Sequence, residues 1–261
     1  VVFMRTFPGQ RLDDLAFEGR KATYLSARRA SAFLVRHLTI PAVLAGVAGI
    51  LVLATRRGVW RAGLVAVASI AATVLGARLL KLLLPRPELS ELANATHDNT
   101  FPSGHSAAIM ATALALLSVG GDAFRRTMLP LAVVGVVGYS AAMVGSGWHR
   151  PSDVGGGLML AVAVVSVATG LMDRREGAGA VAPLGWQARD LGRLMLAVSV
   201  VPAVLVVTVN NPPSDSRYWL WLYVTSVVVA AVLGTLGVLG FVAAMGRSSP
   251  AEINEAGTTR R

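Results

Sequence analysis

Long apolar stretches alternate with short polar segments along most of the chain. Seven of them reach the length that a bilayer-crossing helix needs, ~17–25 residues. They lie at 32–54, 62–84, 103–119, 128–147, 154–172, 191–209 and 218–245. Within each stretch, apolar residues lie on all sides of the predicted helix. They do not alternate with polar residues as they would in a barrel strand. The pattern predicts an all-α fold, a polytopic transmembrane helix bundle with about seven spans.

The composition supports a membrane protein and excludes other classes. Hydrophobic residues make up 54% of the chain and charged residues 15%, with a mean hydropathy of +0.61. This excludes a disordered chain, a coiled coil and an ordinary cytosolic enzyme. The net charge of +10 resides in loops and tails, so we expect no nucleic-acid partner. The absence of cysteine excludes disulfides and thiolate metal sites.

The distribution of arginine predicts how the chain is oriented in the membrane and what kind of organism it comes from. The loops after the first, third and fifth stretches and the C-terminal tail carry 12 basic residues, whereas the alternate loops carry 3. The positive-inside rule then places loops 85–102, 148–153 and 210–217 outside the cell. Only two of the 24 basic residues are lysines, and with abundant Ala, Val and Gly this suggests a bacterium with a high-GC genome.

The N-terminal residues 1–31 form a basic segment that we expect at the membrane interface. Residues 1–36 carry seven basic side chains, although the loop parity places them outside. One interpretation makes residues 1–4 the end of an earlier, missing span, with residues 11–36 forming a short helix on the outer membrane surface. The alternative is a cytoplasmic basic tail and one miscounted span. Agreement among the later loops favours the first interpretation.

Anion-binding residues gather where the second span ends and the third begins. Lys81 stands inside an apolar run, where a charge is costly and usually functional. Arg86 is a bidentate donor suited to phosphate oxygens. Ser103 and Gly104 stand at a predicted helix N-terminus, whose free N–H groups favour an anion.

Histidines and a carboxylate follow on the same predicted face of the membrane. His105 can exchange protons near neutral pH. His149 and Asp153 are four residues apart and therefore share one face of a helix. A carboxylate there can accept the proton of one ring nitrogen and leave the other nitrogen as a nucleophile.

These three segments resemble the type 2 phosphatidic acid phosphatase superfamily, which are membrane lipid phosphatases. The family pattern is Lys…Arg-Pro, then Pro-Ser-Gly-His, then Ser-Arg…His-x-x-x-Asp. In this chain the matching residues are Lys81 with Arg86-Pro87, residues 102–105, and His149 with Asp153. The resemblance covers residues 78–172, and three ordered blocks are far more specific than one.

Two departures from the family pattern concern the phosphate-binding cations. The spacing between Lys81 and Arg86 is two residues shorter than is usual in the family. Met143 occupies the position where the family has arginine in the third block, and Ala142 replaces its serine. We expect Arg150 to replace the missing cation, with Arg78 as the alternative.

The resemblance implies a phosphohistidine mechanism without a cofactor or a metal. His149 would attack phosphorus, Asp153 would orient it, and His105 would protonate the leaving oxygen. The phosphoryl oxygens would be held by Lys81, Arg86, Ser103, Gly104 and Arg150.

The implied enzyme hydrolyses a phosphate ester or diphosphate on a membrane lipid. Candidate substrates are phosphatidate, phosphatidylglycerol phosphate and a polyprenyl phosphate or diphosphate. A lipid-phosphate transporter, a non-catalytic lipid-phosphate binder and a lipid phosphotransferase are the alternatives. We expect a multi-pass protein of the bacterial plasma membrane, with its site facing outward and the bilayer and the lipid phosphate as its partners. The oligomeric state stays open.

The expected organisation has three parts. Residues 1–31 are the interfacial segment, residues 32–246 the membrane-embedded phosphatase-like domain with its core near 78–172, and residues 247–261 a disordered tail.

Overall fold

The computed structural model describes residues 2–89, 99–176 and 217–247, and every regular element in these ranges is helical. One turn of 3₁₀ helix, Gly19–Ala22, separates the second and third α-helices. The α-helices are α1 (Val2–Arg5), α2 (Phe7–Glu18), α3 (Leu25–Arg57), α4 (Trp60–Leu83), α5 (Gly104–Val119), α6 (Asp122–Gly145), α7 (Pro151–Glu176) and α8 (Arg217–Arg247).

The helices confirm a multi-pass helical membrane bundle. Five of those described, α3, α4, α6, α7 and α8, are long and apolar enough to cross a membrane. The sixth apolar helix, α5, has 16 residues and is therefore only ~24 Å long at 1.5 Å per residue. The predicted span at 191–209 and nearly all of the predicted tail lie outside the described residues.

Most helices extend beyond the apolar stretches that predicted them. Helix α3 begins at Leu25 and α6 at Asp122, each about two turns earlier than the hydrophobic pattern suggests. Hydrophobicity marks only the part of a helix that meets lipid, while backbone hydrogen bonds continue through polar residues of good helix propensity. Helix α3 ends where Gly58 adopts φ +67°, the left-handed conformation that glycine tolerates best.

Helix α5 lies at the centre of the bundle and contacts α3, α4, α6, α7 and α8. Its alanines at 107, 111 and 115 are fully buried, and small residues allow helices to approach closely in a membrane. A Cβ at Gly157 of α7 would lie 2.4 Å from the carbonyl oxygen of Ser103. Only glycine therefore allows α7 to pack against the start of α5.

The N-terminal stretch differs from the single surface helix expected over residues 11–36. The helix breaks at Gly19–Ala22, and residues 25–36 belong to α3. In the preceding helix α2, Gln10, Asp13 and Asp14 are buried against the rest of the protein. The basic residues of this segment suggested a helix lying on the membrane surface. Its other polar side chains, at helical spacing, instead lie on a face that packs against the protein.

The predicted outward orientation can be tested by cysteine labelling, since the chain has no native cysteine. Glu88 and Ala123 are both exposed, and they lie in segments that the loop charges assign to opposite sides of the membrane. A Glu88→Cys protein should react with an impermeant maleimide in intact cells. An Ala123→Cys protein should react only after permeabilisation, and the reverse pattern would place the site in the cytoplasm.

Candidate active site

Three helix ends meet around the carboxylate of Asp153, which is completely buried. One oxygen of this carboxylate accepts hydrogen bonds from Thr100 Oγ1 at 2.5 Å and from the Arg150 backbone N–H at 3.0 Å. The Asp153 carbonyl accepts the Ser103 N–H at 2.8 Å. These bonds join the segment before α5 to the first turn of α7.

His149 lies beside this carboxylate, but the two residues do not share a helix face as the spacing predicts, because α7 begins only at Pro151. Its Nδ1 is 3.5 Å from Asp153 Oδ2, and the ring is buried. This distance exceeds that of a normal hydrogen bond but is within the range of an ion pair between a protonated imidazole and a carboxylate. The carboxylate faces Nδ1, so Nε2 is the ring nitrogen left for another partner.

His105, in the first turn of α5, faces the same space. Its ring centroid lies 6.3 Å from that of His149 and 5.6 Å from Trp148, which it meets edge to face. A centroid distance of 6.3 Å is within the ~4.5–7 Å typical of interacting ring pairs, so the two imidazoles are direct neighbours. The structure brings the two predicted catalytic histidines together.

Ser103 is the N-cap of α5, and its Oγ accepts the Ser106 N–H at 3.3 Å. The capping bond uses a lone pair of the hydroxyl and leaves its proton to donate. Gly104 is the first helical residue, and an added Cβ there would meet nothing closer than Ala77 at 4.0 Å. The helix end is therefore accessible at Gly104, as anion binding requires.

Lys81 occupies the last turn of α4 and is half-buried. The amide of Asn99 donates to the carbonyl of Lys81 at 2.9 Å and to that of Leu84 at 2.7 Å. These bonds satisfy carbonyls that have no partner at the end of a helix. Asn99 thus stabilises the helix end that carries the lysine.

Both predicted phosphate-binding arginines are engaged by carboxylates. Arg86 Nη2 donates to Asp13 Oδ2 at 3.1 Å, and its Nη1 lies 3.6 Å from Asp153 Oδ1. Arg150 Nε donates to Asp14 Oδ1 at 2.6 Å. Their positions are therefore set by charge pairing within the protein.

The position of the missing family arginine is filled by apolar packing. Met143 is completely buried in the core of the bundle, together with Ala142. Of the two possible replacements, Arg150 is buried beside His149, whereas Arg78 is exposed. The structure thus places Arg150 close to the site, and its contact with phosphate stays a prediction.

Asp13, Asp14 and Thr100 were missed by the sequence reasoning. The two aspartates lie on one face of α2 with Gln10, which is a signal that helical spacing could have revealed. Their partners Arg86 and Arg150 are more than seventy residues away in sequence. Spacing shows that such a face exists, but not what it contacts.

Asp13 lies outside the membrane-spanning helices, and its carboxyl has a raised pKa. Burial and the neighbouring charge of Asp153 raise its pKa to about 6, although hydrogen bonds from Ser152 and the charge of Arg86 oppose the rise. Asp13 therefore carries its charge above about pH 6 and loses it below.

Within residues 2–89, 99–176 and 217–247, no group of three His, Asp or Glu side chains is arranged to hold a metal ion. That the site works without a metal or cofactor stays a prediction.

The fold and the site together define a multi-pass helical membrane protein with paired histidines, a buried aspartate and nearby cations at one end of its bundle. The family model of the PAP2 superfamily matches residues 58–176. This match confirms that residues 58–176 resemble that superfamily and indicates a phosphatase acting on a phosphate ester. Searches of the curated proteins and of the solved structures gave no significant match.

The matched segment contains the site but not all of its neighbours. It begins at the turn between α3 and α4 and ends with α7. Helices α2 and α8 lie outside it, although α2 supplies both carboxylates that pair with the arginines.

Replacing the Asp153 carboxylate should show whether it orients His149 for catalysis without being needed for the fold. Asp153→Asn keeps the size of the side chain but removes its charge, so we expect kcat to fall by a factor on the order of 10⁴, as for other histidine-orienting aspartates. Thr100→Val removes one hydrogen bond to the same oxygen and should cost ~1 kcal/mol, about fivefold in rate. Steady-state kinetics on a soluble phosphate ester measure both effects. Equal losses in the two variants would contradict a special role for the carboxylate.

Proposed function

We propose that this protein is a lipid phosphate phosphatase that works through a phosphohistidine intermediate. The observation that carries the proposal is that His149 lies beside both the Asp153 carboxylate and the His105 ring. A transporter or a passive binder has no need of a histidine that has a buried carboxylate and a second histidine as neighbours.

In the first step, Nε2 of His149 attacks phosphorus, and the bond from phosphorus to the leaving oxygen breaks. The leaving oxygen takes its proton from His105, while Asp153 stabilises the positive charge on His149. In the second step, His105 accepts a proton from water, whose oxygen attacks phosphorus and displaces His149 as inorganic phosphate forms. The bond changes balance in both steps, and the enzyme returns to its starting state.

Positive charge around the phosphoryl group stabilises its equatorial oxygens during transfer. We assign this role to Lys81 at the end of α4 and to the start of α5, where Ser103 offers its hydroxyl and Gly104 its backbone N–H. Arg86 and Arg150 contribute from the side of Asp153. The carboxylates of α2 offset part of their charge.

An apolar cavity beside the site supports a lipid substrate. It measures about 370 Å³, within the ~300–1,000 Å³ of typical ligand sites. Its lining includes Asp13 and Ser152, which also contact the active-site network, and the hydroxyl residues Thr225 and Ser226. Its remaining walls are largely apolar and come from α1, α2, α7, α8 and Phe101. The hydrocarbon chain of a lipid fits these apolar walls.

The loop charges favour an enzyme of the bacterial plasma membrane that acts on the outer leaflet. The ends of α4 and α6 and the starts of α5 and α7 all belong to the site, so the site faces whichever side these ends face. Phosphatidate, phosphatidylglycerol phosphate and polyprenyl phosphate or diphosphate all have the required head and chain.

The nucleophile can be tested by trapping the phosphoenzyme. Purified wild-type protein should release inorganic phosphate from at least one of these lipid phosphates and give an acid-labile, base-stable phosphoprotein after rapid quenching. His149→Ala should abolish both signals, because no other residue takes the place of the attacking nitrogen. Its control is His37→Ala, which removes a histidine on α3.

Full turnover in His149→Ala would show that another group is the nucleophile. A wild-type protein that binds the lipids but releases no phosphate from any of them would favour the binder or transporter instead. Transfer of the phosphoryl group to an acceptor other than water would identify a phosphotransferase.

The cavity can be tested by filling it from α8. Ala230 is buried and lines the cavity, so Ala230→Phe should exclude part of a hydrocarbon chain. Each methylene kept in water costs ~0.8 kcal/mol, so losing two or more lowers kcat/KM about tenfold. This loss should appear with monomeric dioctanoyl phosphatidate but not with glycerol phosphate, whose hydrolysis should stay within about twofold.

The matched control is Ala243→Phe, the same change at an exposed position of the same helix. It should leave both substrates unaffected. Equal losses on the two substrates in Ala230→Phe would mean that the substitution disturbs the site itself, and that the chain binds elsewhere.

A further inference from the structure

The buried face of helix α2 includes three polar side chains beside the apolar Ala16 and Phe17. Gln10, Asp13 and Asp14 are each about 3% exposed, whereas Phe7 and Leu12 are 50% and 45% exposed. Burying two carboxylates is costly unless they are paired with cations and hydrogen-bonded. At Asp13 and Asp14 the buried face meets the cations of the active-site loops, Arg86 and Arg150.

Gln10 fixes the loop that carries Arg86. Its side-chain amide donates to the carbonyl of Pro87 at 2.6 Å, and its amide oxygen accepts the Leu89 N–H at 3.0 Å. The same amide also donates to Met4 at 2.7 Å. The backbone just after the arginine is thus held to α2 by two hydrogen bonds.

Asp13 joins this loop to the first turn of α7. Its Oδ2 accepts from Arg86 Nη2 and, at 2.6 Å, from Ser152 Oγ, and its Oδ1 accepts the Ser152 N–H at 3.0 Å. Asp14 makes the parallel contact with Arg150, and its Oδ1 also lies 3.9 Å from Arg86 Nη2. The residues that the two aspartates bind here, Arg150 and Ser152, lie between His149 and Asp153 in sequence.

Asp13 and Asp153 compete for the same guanidinium. Arg86 Nη1 and Asp153 Oδ1 are 3.6 Å apart, and neither atom has a hydrogen-bond partner in the described structure. Without the charge at position 13, the buried arginine would be drawn more strongly toward Asp153. A closed ion pair there would reduce the negative charge that Asp153 presents to His149.

We infer that Asp13 and Asp14 are positioning residues of the active site, which hold Arg86 and Arg150 in place and keep the Asp153 carboxylate available to His149. The inference rests on the proposed phosphatase function. Neither aspartate needs to touch the substrate phosphate, because each acts through an arginine. Both belong to a helix outside the segment that the family model matches.

The charged groups that face Asp13 make this role dependent on pH. They are Asp14 on its own helix, Arg86 on the loop after α4, and Arg150 and Asp153 at the start of α7. Because the pKa of Asp13 is raised to about 6, its charge is present at pH 8 and mostly lost at pH 5. A wild-type protein at pH 5 should therefore resemble one with asparagine at this position.

The test compares wild type with Asp13→Asn on a soluble phosphate ester between pH 5 and pH 8. At pH 8 the substitution should lower kcat about tenfold and change KM less than about twofold, since it disturbs the chemical step more than binding. The ratio of the two kcat values should approach one toward pH 5. Asp13→Glu keeps the charge and should recover much of the activity.

Two further variants separate positioning from folding. Glu18→Gln makes the same chemical change on the same helix, at a residue paired with Arg20 and Lys21 instead, and it should leave kcat unchanged. Asp13→Asn should have little further effect in an Arg86→Gln protein, because it acts through that arginine. Thermal unfolding of each detergent-solubilised variant shows whether its helices are intact.

A kcat ratio that stays constant from pH 5 to pH 8, or additive effects in the double variant, would overturn the inference. So would an Asp13→Asn protein with a KM several times lower than that of wild type, since the carboxylate would then compete with phosphate for the arginine. A wild-type protein inactive on every phosphate ester and lipid phosphate overturns the proposed function, and this inference with it. An active wild type with an unaffected Asp13→Asn variant overturns the inference alone.

Discussion

A carboxylate buried at the meeting point of three helices must be surrounded by donors, and Asp153 imposes this requirement on the rest of the structure. Thr100 and the Arg150 backbone supply hydrogen bonds to one oxygen, while Arg86 lies near the other. Each donor comes from a different loop or helix start. Satisfying one buried charge therefore brings together the segments that carry His105 and His149.

The arginines that accompany Asp153 create a second requirement, because buried cations also need partners. Helix α2 meets it with Asp13 and Asp14, so three carboxylates and two guanidiniums form one buried network. Such networks contribute little to stability by themselves, since desolvation offsets much of the attraction. Their larger effect is to fix the position of each charge, which is what a phosphoryl-transfer site depends on.

Close packing of small residues holds this network at one end of the bundle. Helix α5 is buried on nearly all sides, and Gly157 lets α7 approach the carbonyl of Ser103 directly. Helix α8 packs on α2, α6 and α7 and closes the apolar cavity next to the site. The charged network and the apolar cavity therefore share Asp13 and Ser152 as common residues.

Local composition and spacing alone determined the helical membrane fold and five of the long helices. These features depend on residues close together in sequence, where hydrophobicity and helical period act directly. The tertiary structure decided the partners of Arg86 and Arg150, the inward face of α2 and the role of Thr100 as a donor. Asp14 and Arg150 are 136 residues apart, and contacts across such distances depend on how whole helices pack. A helix whose polar face is buried follows the same periodicity as one whose polar face meets water, so only its docking surface distinguishes them.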